Sequence, residues 1–251
     1  MTFPDKPEYR MLPRKGTDSA VECAVYPPRL SDPHASAGLV LHLYGHGGSC
    51  RKYNMLKPPY ANARQRLWER GYWLVVPDLG PDHWMSDAAG QSLDAIIEGM
   101  IRDRGVDPAR VHILGTSMGG GSGLVYTMRR PGRIRSLCAV FPMTDFTQWV
   151  KEKPGYLSGI THAHGVKATE AAAVLDDLSP LHHVSAFAAI PVFLLHGDSD
   201  PKVPVHHSRE LAAALQTQGS PVTYREVHGV GHDDAIAESF QQEIVDFLTR
   251  A

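Results

Sequence analysis

Short apolar segments recur along the chain and alternate with longer stretches of mixed polarity. The apolar segments hold four to six residues, and most of them end at a glycine, a proline or a polar loop. This pattern is typical of buried strands. We predict strands at residues 21–26, 39–44, 73–76, 111–114, 137–141, 192–195 and 222–227.

The stretches between these strands have the spacing or the composition of helices. We predict helices at residues 60–70, 87–104, 119–130, 207–218 and 233–250. Short, nearly continuous apolar strands that alternate with helices predict a mostly parallel sheet with helices on both faces. Right-handed crossovers then bring the carboxyl ends of the strands to one edge of the sheet, where ligands bind.

Two stretches depart from this alternation. Residues 1–37 are rich in proline and polar side chains, and we expect the strand within them to form an antiparallel edge. Residues 144–177 follow no regular order of strands and helices, which indicates a short, cap-like insertion over the edge of the sheet rather than a second domain. We therefore expect a single domain over residues 1–251, a size that is ordinary for an α/β domain.

The composition excludes several classes of protein. Hydrophobic residues make up 43% of the chain, which is enough to fill a core, so the chain is not intrinsically disordered. The 25 basic and 27 acidic residues form no long run and give a net charge of −2. We therefore expect neither a nucleic-acid partner nor binding to an anionic membrane. No apolar stretch is long enough to span a bilayer.

The cysteines and the first residues bear on the compartment. Cys23, Cys50 and Cys138 are far apart and show no C-x-x-C spacing, so we expect reduced thiols rather than a disulfide framework. The chain does not begin with a basic segment followed by an apolar run, so we expect no signal peptide. Both observations predict a cytoplasmic location.

A serine between glycines provides the strongest chemical signal. Residues 115–119 read Gly-Thr-Ser-Met-Gly, follow a predicted strand and open a predicted helix. In this context the pattern G-x-S-x-G places the serine on a sharp, strained turn, and the small residues on both sides let strand and helix pack closely. The helix N-terminus also favours negative charge that develops nearby. Ser117 is therefore a candidate nucleophile.

Residues 94–121 resemble the nucleophile region of esterases with the α/β-hydrolase fold. The lead-in at 106–111, Val-Asp-Pro-Ala-Arg-Val, is similar to that of the single-domain esterases and of the prolyl-oligopeptidase-like branch of serine hydrolases. The resemblance implies a central, mostly parallel sheet of about eight strands whose first strands are antiparallel. It also implies a catalytic triad in the chain order serine, acid, histidine.

Two later loops resemble those that carry the acid and the histidine in this family. Residues 196–204 look like the signature H-G-x-x-D-x-x-V-P, whose aspartate falls on Asp200, and Asp198 is the competitor in the same loop. The loop after the last predicted strand is similar to the G-x-G-H loop of the family, which implies that His232 is the base. His228, at the end of that strand, is its rival.

Acyl transfer also requires two backbone N–H groups that point at the developing oxyanion. Met118, the residue after the nucleophile, is one expected donor, and the glycine-rich loop that begins at Tyr44 provides the other. Two registers of this loop are open. The donor is His46 if Tyr44-Gly45 replaces the usual His-Gly pair of the family, and Gly48 if the pair lies two residues later. We favour His46 because the apolar strand ends directly at Tyr44.

Three aromatic residues are candidates for substrate binding: Tyr44, Trp84 and Trp149. Trp84 follows the strand at 73–76 and either lines the pocket or packs against the next helix, while Trp149 lies on the insertion. The other histidines lack carboxylate and thiol partners at ligand spacing, and the pair at 206–207 is expected to open a helix in contact with solvent. We therefore predict no metal and no organic cofactor.

These motifs predict a serine hydrolase that cleaves carboxylic esters through an acyl-enzyme. Ser117 attacks the carbonyl carbon, His232 transfers the proton, and Asp200 orients His232. We expect a small or medium soluble ester as the substrate, because the insertion is too short for a full lipase lid. A peptidase of the prolyl-oligopeptidase type is the alternative, and a non-catalytic ligand-binding protein with this fold is less favoured.

Overall fold

A computed structural model describes residues 4, 6–13, 20–29, 36–53 and 58–250. It contains one sheet whose strands are β1 (Glu8–Pro13), β2 (Ala20–Tyr26), β3 (Ala37–Leu43), β4 (Tyr72–Pro77), β5 (Val106–Thr116), β6 (Ser136–Val140), β7 (Val192–Gly197) and β8 (Val222–Val227). Their order in the sheet is β1-β2-β4-β3-β5-β6-β7-β8. Strands β3 to β8 run parallel, whereas β2 pairs antiparallel with both β1 and β4. The predicted sheet of about eight strands, antiparallel at its beginning, is confirmed.

The strands at the centre of the sheet are mostly apolar because they are covered on both faces. Every residue of β3 and of β4 is buried, as expected for strands in a parallel sheet with helices on each side. Strand β8 lies at the edge and is partly exposed, and its centre carries the polar sequence Thr-Tyr-Arg-Glu. Burial therefore explains why the central strands are the easiest to identify from sequence.

The helices are α1 (Ala61–Glu69), α2 (Asp87–Arg104), α3 (Met118–Arg129), α4 (Phe146–Glu152), α5 (Leu157–Ala163), α6 (Ala171–Asp177), α7 (His206–Gln218), α8 (Ala235–Ser239) and α9 (Gln241–Leu248). Helix α2 has the predicted bounds, and it ends at Gly105 in the left-handed conformation, with φ 65°, which glycine adopts without steric cost. None of the described helices is both long and apolar enough to cross a membrane.

Two elements differ from the prediction. Strand β1 lies in the proline-rich segment, where the pattern predicts only one strand, because an edge strand needs no continuous apolar run; Met11 in β1 is 62% exposed. The predicted helix at 233–250 is two helices, which meet at Phe240 with φ −107° and ψ 8°.

The insertion between β6 and β7 is helical. It contains α4, α5 and α6 together with short 3-10 helices at Pro154–Tyr156, Ala168–Glu170 and Pro180–Phe187. Trp149 of α4 donates a hydrogen bond from Nε1 to the carbonyl oxygen of Lys202, in the loop after β7, at 3.2 Å. The insertion therefore packs against a loop at the carboxyl edge of the sheet.

Candidate active site

Ser117 lies in a sharp turn between β5 and α3. Its φ of 53° and ψ of −121° are strained for a residue with a side chain. Two backbone hydrogen bonds hold the turn: the Ser117 N–H donates to the Val140 carbonyl at 2.9 Å, and the Ser117 carbonyl accepts from the Gly121 N–H at 3.0 Å. The neighbouring strand and the new helix together therefore maintain the conformation that G-x-S-x-G predicts.

The glycines on both sides of Ser117 are required by close packing of the backbone. A Cβ atom on Gly119 would overlap the carbonyl oxygen of Leu43, and one on Gly115 would overlap the carbonyl group of Gly119. Leu43 is the last residue of β3. Helix α3 can therefore approach the sheet edge only because these positions carry no side chain.

Gly119→Ala is expected to destabilise the protein by roughly 1–3 kcal/mol, because the methyl group must displace the end of β3. The free energy of unfolding in urea measures this effect. Gly99→Ala is the matched control, since a Cβ atom there would meet only the Arg102 guanidinium group at 3.9 Å. Alanine at position 99 should stabilise helix α2 by up to about 1 kcal/mol. Equal stabilities of Gly119→Ala and the wild-type protein would contradict the packing argument.

The three residues predicted to form the triad lie in one hydrogen-bonded line. Ser117 Oγ is 2.9 Å from His232 Nε2, and His232 Nδ1 is 2.6 Å from Asp200 Oδ2. Asp200 follows β7 and His232 follows β8, so the two residues reach Ser117 from neighbouring strand ends. The arrangement has the connectivity that nucleophilic catalysis by serine requires.

Asp200 is buried and accepts several hydrogen bonds. Burial by itself raises the pKa of Asp200, but hydrogen bonds from His196, His232 and the Val203 N–H outweigh that effect and hold the pKa well below its usual range. The other carboxylate oxygen accepts from the N–H groups of Lys202 and Val203, at 2.8 and 2.9 Å. The carboxylate is therefore ionised at neutral pH and held in one orientation towards His232.

His196 lies behind the acid. This fully buried residue is 2.9 Å from the Val203 carbonyl oxygen through Nε2 and 2.7 Å from Ser208 Oγ through Nδ1. The Nε2 atom also lies 3.5 Å from Asp200 Oδ2. His196, the histidine that begins the H-G-x-x-D pattern, therefore braces the loop that carries the acid. The motif alone does not reveal this role.

The two rivals for the triad, Asp198 and His228, interact with each other instead. His228 Nδ1 is 2.7 Å from Asp198 Oδ2, and the Gly229 N–H donates to the same carboxylate at 2.8 Å. The His228 side chain is almost fully exposed. This pair therefore ties together the loops after β7 and β8 at the surface, and neither residue is hydrogen-bonded to Ser117.

Asp234 connects the histidine loop to the nucleophile strand. Its Oδ1 atom accepts hydrogen bonds from the hydroxyl groups of Thr116 and Tyr60, at 2.6 and 2.9 Å. The Asp234 side chain caps no N–H of α8. The carboxylate instead fixes the loop that carries His232 next to the residue that precedes Ser117.

The glycine-rich loop after β3 touches the nucleophile. A Cβ atom on Gly45 would lie 3.4 Å from Ser117 Cβ. The Gly48 N–H already donates to the Gly45 carbonyl at 3.1 Å. Among the described residues, the N–H groups of His46 and Met118 have no backbone hydrogen-bond acceptor. The geometry therefore favours the register with His46, rather than Gly48, as the donor from this loop.

A cleft of about 180 Å³ contains Ser117 and His232 in its wall. Sequence reasoning did not identify four of its other lining residues as part of the site: Tyr53, Phe141, Tyr156 and Lys202. No motif marks these side chains, because they come from separate segments of the chain that only the fold brings together.

The three aromatic residues predicted to bind substrate are buried and do not line this cleft. Trp84 and Trp149 are 1% and 2% exposed, with ring centroids 5.6 Å apart, and Trp149 stacks on Tyr156 at 4.5 Å. Tyr44 is also buried, and its hydroxyl accepts from the Leu79 N–H at 2.8 Å. The tryptophans therefore pack against Tyr156, which lines the cleft, and Tyr44 holds the loop after β4. The expected contact of these three rings with substrate stays a prediction.

Glu152, His206 and His207 bring potential metal-ligand atoms within 4.8 Å of one another. Contrary to the expectation of a solvated pair, His207 is fully buried, because the start of α7 packs against α4 and the residues before it. The N–H groups of Thr144 and Asp145 donate to His207 Nδ1 at 3.4 Å, which leaves the ring proton on Nε2, facing Glu152. A metal-binding histidine has the opposite arrangement, so we assign no metal to this cluster, in which His206 Nε2 lies 2.8 Å from Glu152 Oε1 while His207 Nε2 has no hydrogen-bond partner among the described residues.

Residues 62–251 match the family model described as the prolyl oligopeptidase family. This chain belongs to the prolyl oligopeptidase family. The match confirms the resemblance to serine hydrolases of that branch. Among curated proteins, an uncharacterized secreted protein from Arthroderma benhamiae (strain ATCC MYA-4681 / CBS 112371) is 51% identical over 49 residues, which are 20% of this chain and 5% of that protein.

Solved structures of peptidases share the fold of this member of the prolyl oligopeptidase family. A puromycin-hydrolyzing peptidase from Mycobacterium tuberculosis superimposes with a TM-score of 0.77 at 18% identity, over 97% of this chain and 39% of that chain. The Pyrococcus horikoshii acylaminoacyl peptidase gives a TM-score of 0.78 at 15% identity, over 98% and 42%. The Porphyromonas gingivalis dipeptidyl peptidase 4 gives 0.70 at 17%, over 99% and 35%. The α/β-hydrolase fold is thereby confirmed, and the chain spans about two fifths of the length of these structures.

Proposed function

We propose that this protein is a serine peptidase that hydrolyses amide bonds of short peptides or aminoacyl amides. The observation that carries the proposal is the hydrogen-bonded line from Asp200 through His232 to Ser117, in a chain that matches the prolyl oligopeptidase family. The family and the peptidases that share the fold support this alternative better than the carboxylesterase that the sequence motifs favour.

The distances suit a double role of His232. Its Nε2 atom accepts the proton of Ser117 Oγ over 2.9 Å as the oxygen attacks the carbonyl carbon. The same nitrogen then protonates the leaving amine, a step that amide cleavage needs because an amine leaves poorly without a proton. Asp200 keeps the ring proton on Nδ1 and stabilises the cation that forms between these two transfers.

The tetrahedral intermediate requires stabilisation of its negative oxygen. The N–H groups of Met118, at the start of α3, and of His46, in the loop that touches Ser117, are the donors we assign to this role. The positive end of helix α3 adds to their effect. The cleft that contains Ser117 and His232 has a volume of about 180 Å³, and we assign it to the residues that flank the scissile bond.

A panel of chromogenic substrates tests the proposal. It compares p-nitroanilides of free and N-acylated amino acids with p-nitrophenyl esters of short acids, each measured as kcat/KM for the purified protein. We expect hydrolysis of at least one class of p-nitroanilide, with all activity lost after labelling by a fluorophosphonate. Cleavage of the esters without any p-nitroanilide would indicate a carboxylesterase, and a chain that the fluorophosphonate does not label would contradict the serine mechanism altogether.

A further inference from the structure

A basic pocket of about 360 Å³ lies at the amino edge of the sheet, opposite the edge that carries Ser117. Three arginines, an aromatic ring and a histidine form most of its wall: Arg110, Arg135, Arg250, Tyr72 and His112. Within the described part of the chain, no acidic residue lines it. His112 and Thr116 lie four residues apart in β5, which corresponds to roughly 13 Å along a strand. The basic pocket is therefore separate from the cleft around Ser117.

The arginines of the basic pocket keep their charges available to a ligand. Arg110 donates a hydrogen bond to the Ser36 carbonyl oxygen at 3.1 Å, and its guanidinium group lies 4.8 Å from the centre of the Tyr72 ring. Arg250 lies near Asp246, but that carboxylate is hydrogen-bonded to two other side chains. Among the described residues, no carboxylate forms an ion pair with any of the three arginines. Positive groups that the protein does not neutralise are suited to an anionic ligand.

His112 forms the buried floor of the basic pocket. The side chain is 1% exposed, and its Nδ1 atom lies 2.8 Å from Ser136 Oγ. Its Nε2 atom is buried without a hydrogen-bond partner among the described residues. Burial lowers the pKa of His112 to about 3, and the charges of Arg110 and Arg135 add to this effect. The ring is therefore neutral, and its unpartnered nitrogen is the kind of buried polar group that a bound ligand or water satisfies.

A second pocket, of about 270 Å³, adjoins the basic pocket, since Arg135 and Arg250 line both. Its other lining residues are mostly apolar and include Phe247, Val222 and Pro191. The positive charges therefore lie beside an apolar surface. Small-molecule sites have this character, in which a few polar groups fix the orientation of a ligand and apolar side chains cover the rest of it.

We propose that the basic pocket binds a small organic phosphate. The phosphate group lies between the guanidinium groups of Arg110, Arg135 and Arg250, and an apolar part of the same molecule extends along Phe247. A guanidinium group can donate two parallel hydrogen bonds to the oxygens of one phosphate. A phosphate monoester carries nearly two negative charges at neutral pH, so it offsets more of the positive charge in the pocket than a carboxylate does.

Isothermal titration calorimetry in a phosphate-free buffer of low ionic strength tests the proposal. Phenyl phosphate, inorganic phosphate, benzoate and benzyl alcohol are compared as ligands of the wild-type protein. We expect phenyl phosphate to bind tightest, by about tenfold or more over each of the others, because only this compound combines a phosphate group with an apolar ring. Tighter binding of benzoate than of phenyl phosphate, or no binding of phenyl phosphate at millimolar concentration, would overturn the proposal.

Arginine variants locate the ligand. Arg135→Gln and Arg250→Gln change exposed side chains, so the fold should be retained, and each should raise the Kd for phenyl phosphate by about tenfold. Arg135→Lys should recover only part of the affinity, because lysine keeps the charge but loses the paired N–H groups. Arg66→Gln is the matched control and should leave the Kd unchanged, since Arg66 is an exposed arginine of α1 that lines neither pocket.

Lys202→Met separates the basic pocket from the cleft around Ser117. Lys202 brings a positive charge to the wall of that cleft, so a phosphate bound there would lose affinity in this variant. We expect the Kd for phenyl phosphate to be the same in Lys202→Met as in the wild-type protein. A weaker affinity in Lys202→Met, or an unchanged Kd in both Arg135→Gln and Arg250→Gln, would contradict binding at the amino edge of the sheet.

Discussion

Replacing Ser117 with alanine is expected to lower kcat for the best p-nitroanilide by about 10⁶-fold. In the proposed mechanism the hydroxyl oxygen forms the acyl-enzyme, and no other hydroxyl is hydrogen-bonded to His232 among the residues that the structure describes. Initial rates with the wild-type protein and the variant measure the effect. Labelling by a fluorophosphonate should disappear in the same variant.

Ser122→Ala provides the matched control for this substitution. Ser122 lies on the same helix and is fully buried, but its hydroxyl has no hydrogen-bond partner within the described residues. Its removal should therefore change neither activity nor labelling, and should leave stability nearly unchanged. Labelling that persists in Ser117→Ala would show that another residue is the nucleophile.

Asp200→Asn is expected to reduce kcat by about 10⁴-fold. The side-chain amide keeps the size of the carboxylate, but its NH₂ group can face His232 Nδ1 and leave the ring proton on Nε2. In that tautomer the imidazole cannot accept the proton of Ser117, whose Oγ lies 2.9 Å from Nε2. The kcat values of Asp200→Asn, Ser117→Ala and the double variant test the mechanism. If the two residues act as one unit, the double variant should be no slower than Ser117→Ala alone.

The rival pair supplies the control for Asp200→Asn. Asp198→Asn changes a carboxylate in the same loop that is paired with His228 at the surface. We expect less than about a threefold change in kcat for this variant, since an exposed ion pair contributes little free energy. A large loss in Asp198→Asn together with a small loss in Asp200→Asn would reverse the assignment of the acid.

The Asp200 carboxylate also makes the stability of the protein depend on pH. The pKa of Asp200 is lowered in the folded protein, so its ionised form is favoured by folding. Its contribution is therefore complete above the unfolded pKa of about 3.9 and is lost as the pH falls further. The difference in free energy of unfolding between the wild-type protein and Asp200→Asn should shrink as the pH falls from about 5 towards about 1. A difference independent of pH would show that Asp200 is not held as an ion.

Sequence patterns predicted the central part of the fold because the buried strands there consist mostly of apolar residues. Strands covered on both faces, such as β3 and β4, are nearly continuous apolar runs. Strand β1 has no such apolar run because it lies at the edge of the sheet and exposes side chains such as Met11. The break at Phe240 between α8 and α9 was also missed, because both helices carry apolar residues at helical spacing.

The candidate triad could be identified because each of its members lies in a short motif directly after a strand. The spacing of a motif constrains the local backbone, as the φ of 53° at Ser117 illustrates. The predicted contacts of Trp84 and Trp149 with substrate had no such support. Their large apolar rings are buried against one another, since burial of aromatic surface is favourable wherever the fold permits it.

The sequence by itself determined the class of fold and the family, and it predicted the three candidate triad residues. Only the tertiary structure showed that the His46 N–H has no backbone acceptor among the described residues, that Asp198 and His228 pair with each other at the surface, and that Lys202 lines the cleft. The physical reason lies in the range of the interactions. The apolar runs of the strands and the glycines around the serine turn are local patterns that can be identified in the sequence. The cleft is lined by side chains from distant segments of the chain, and no local pattern predicts which of them come together.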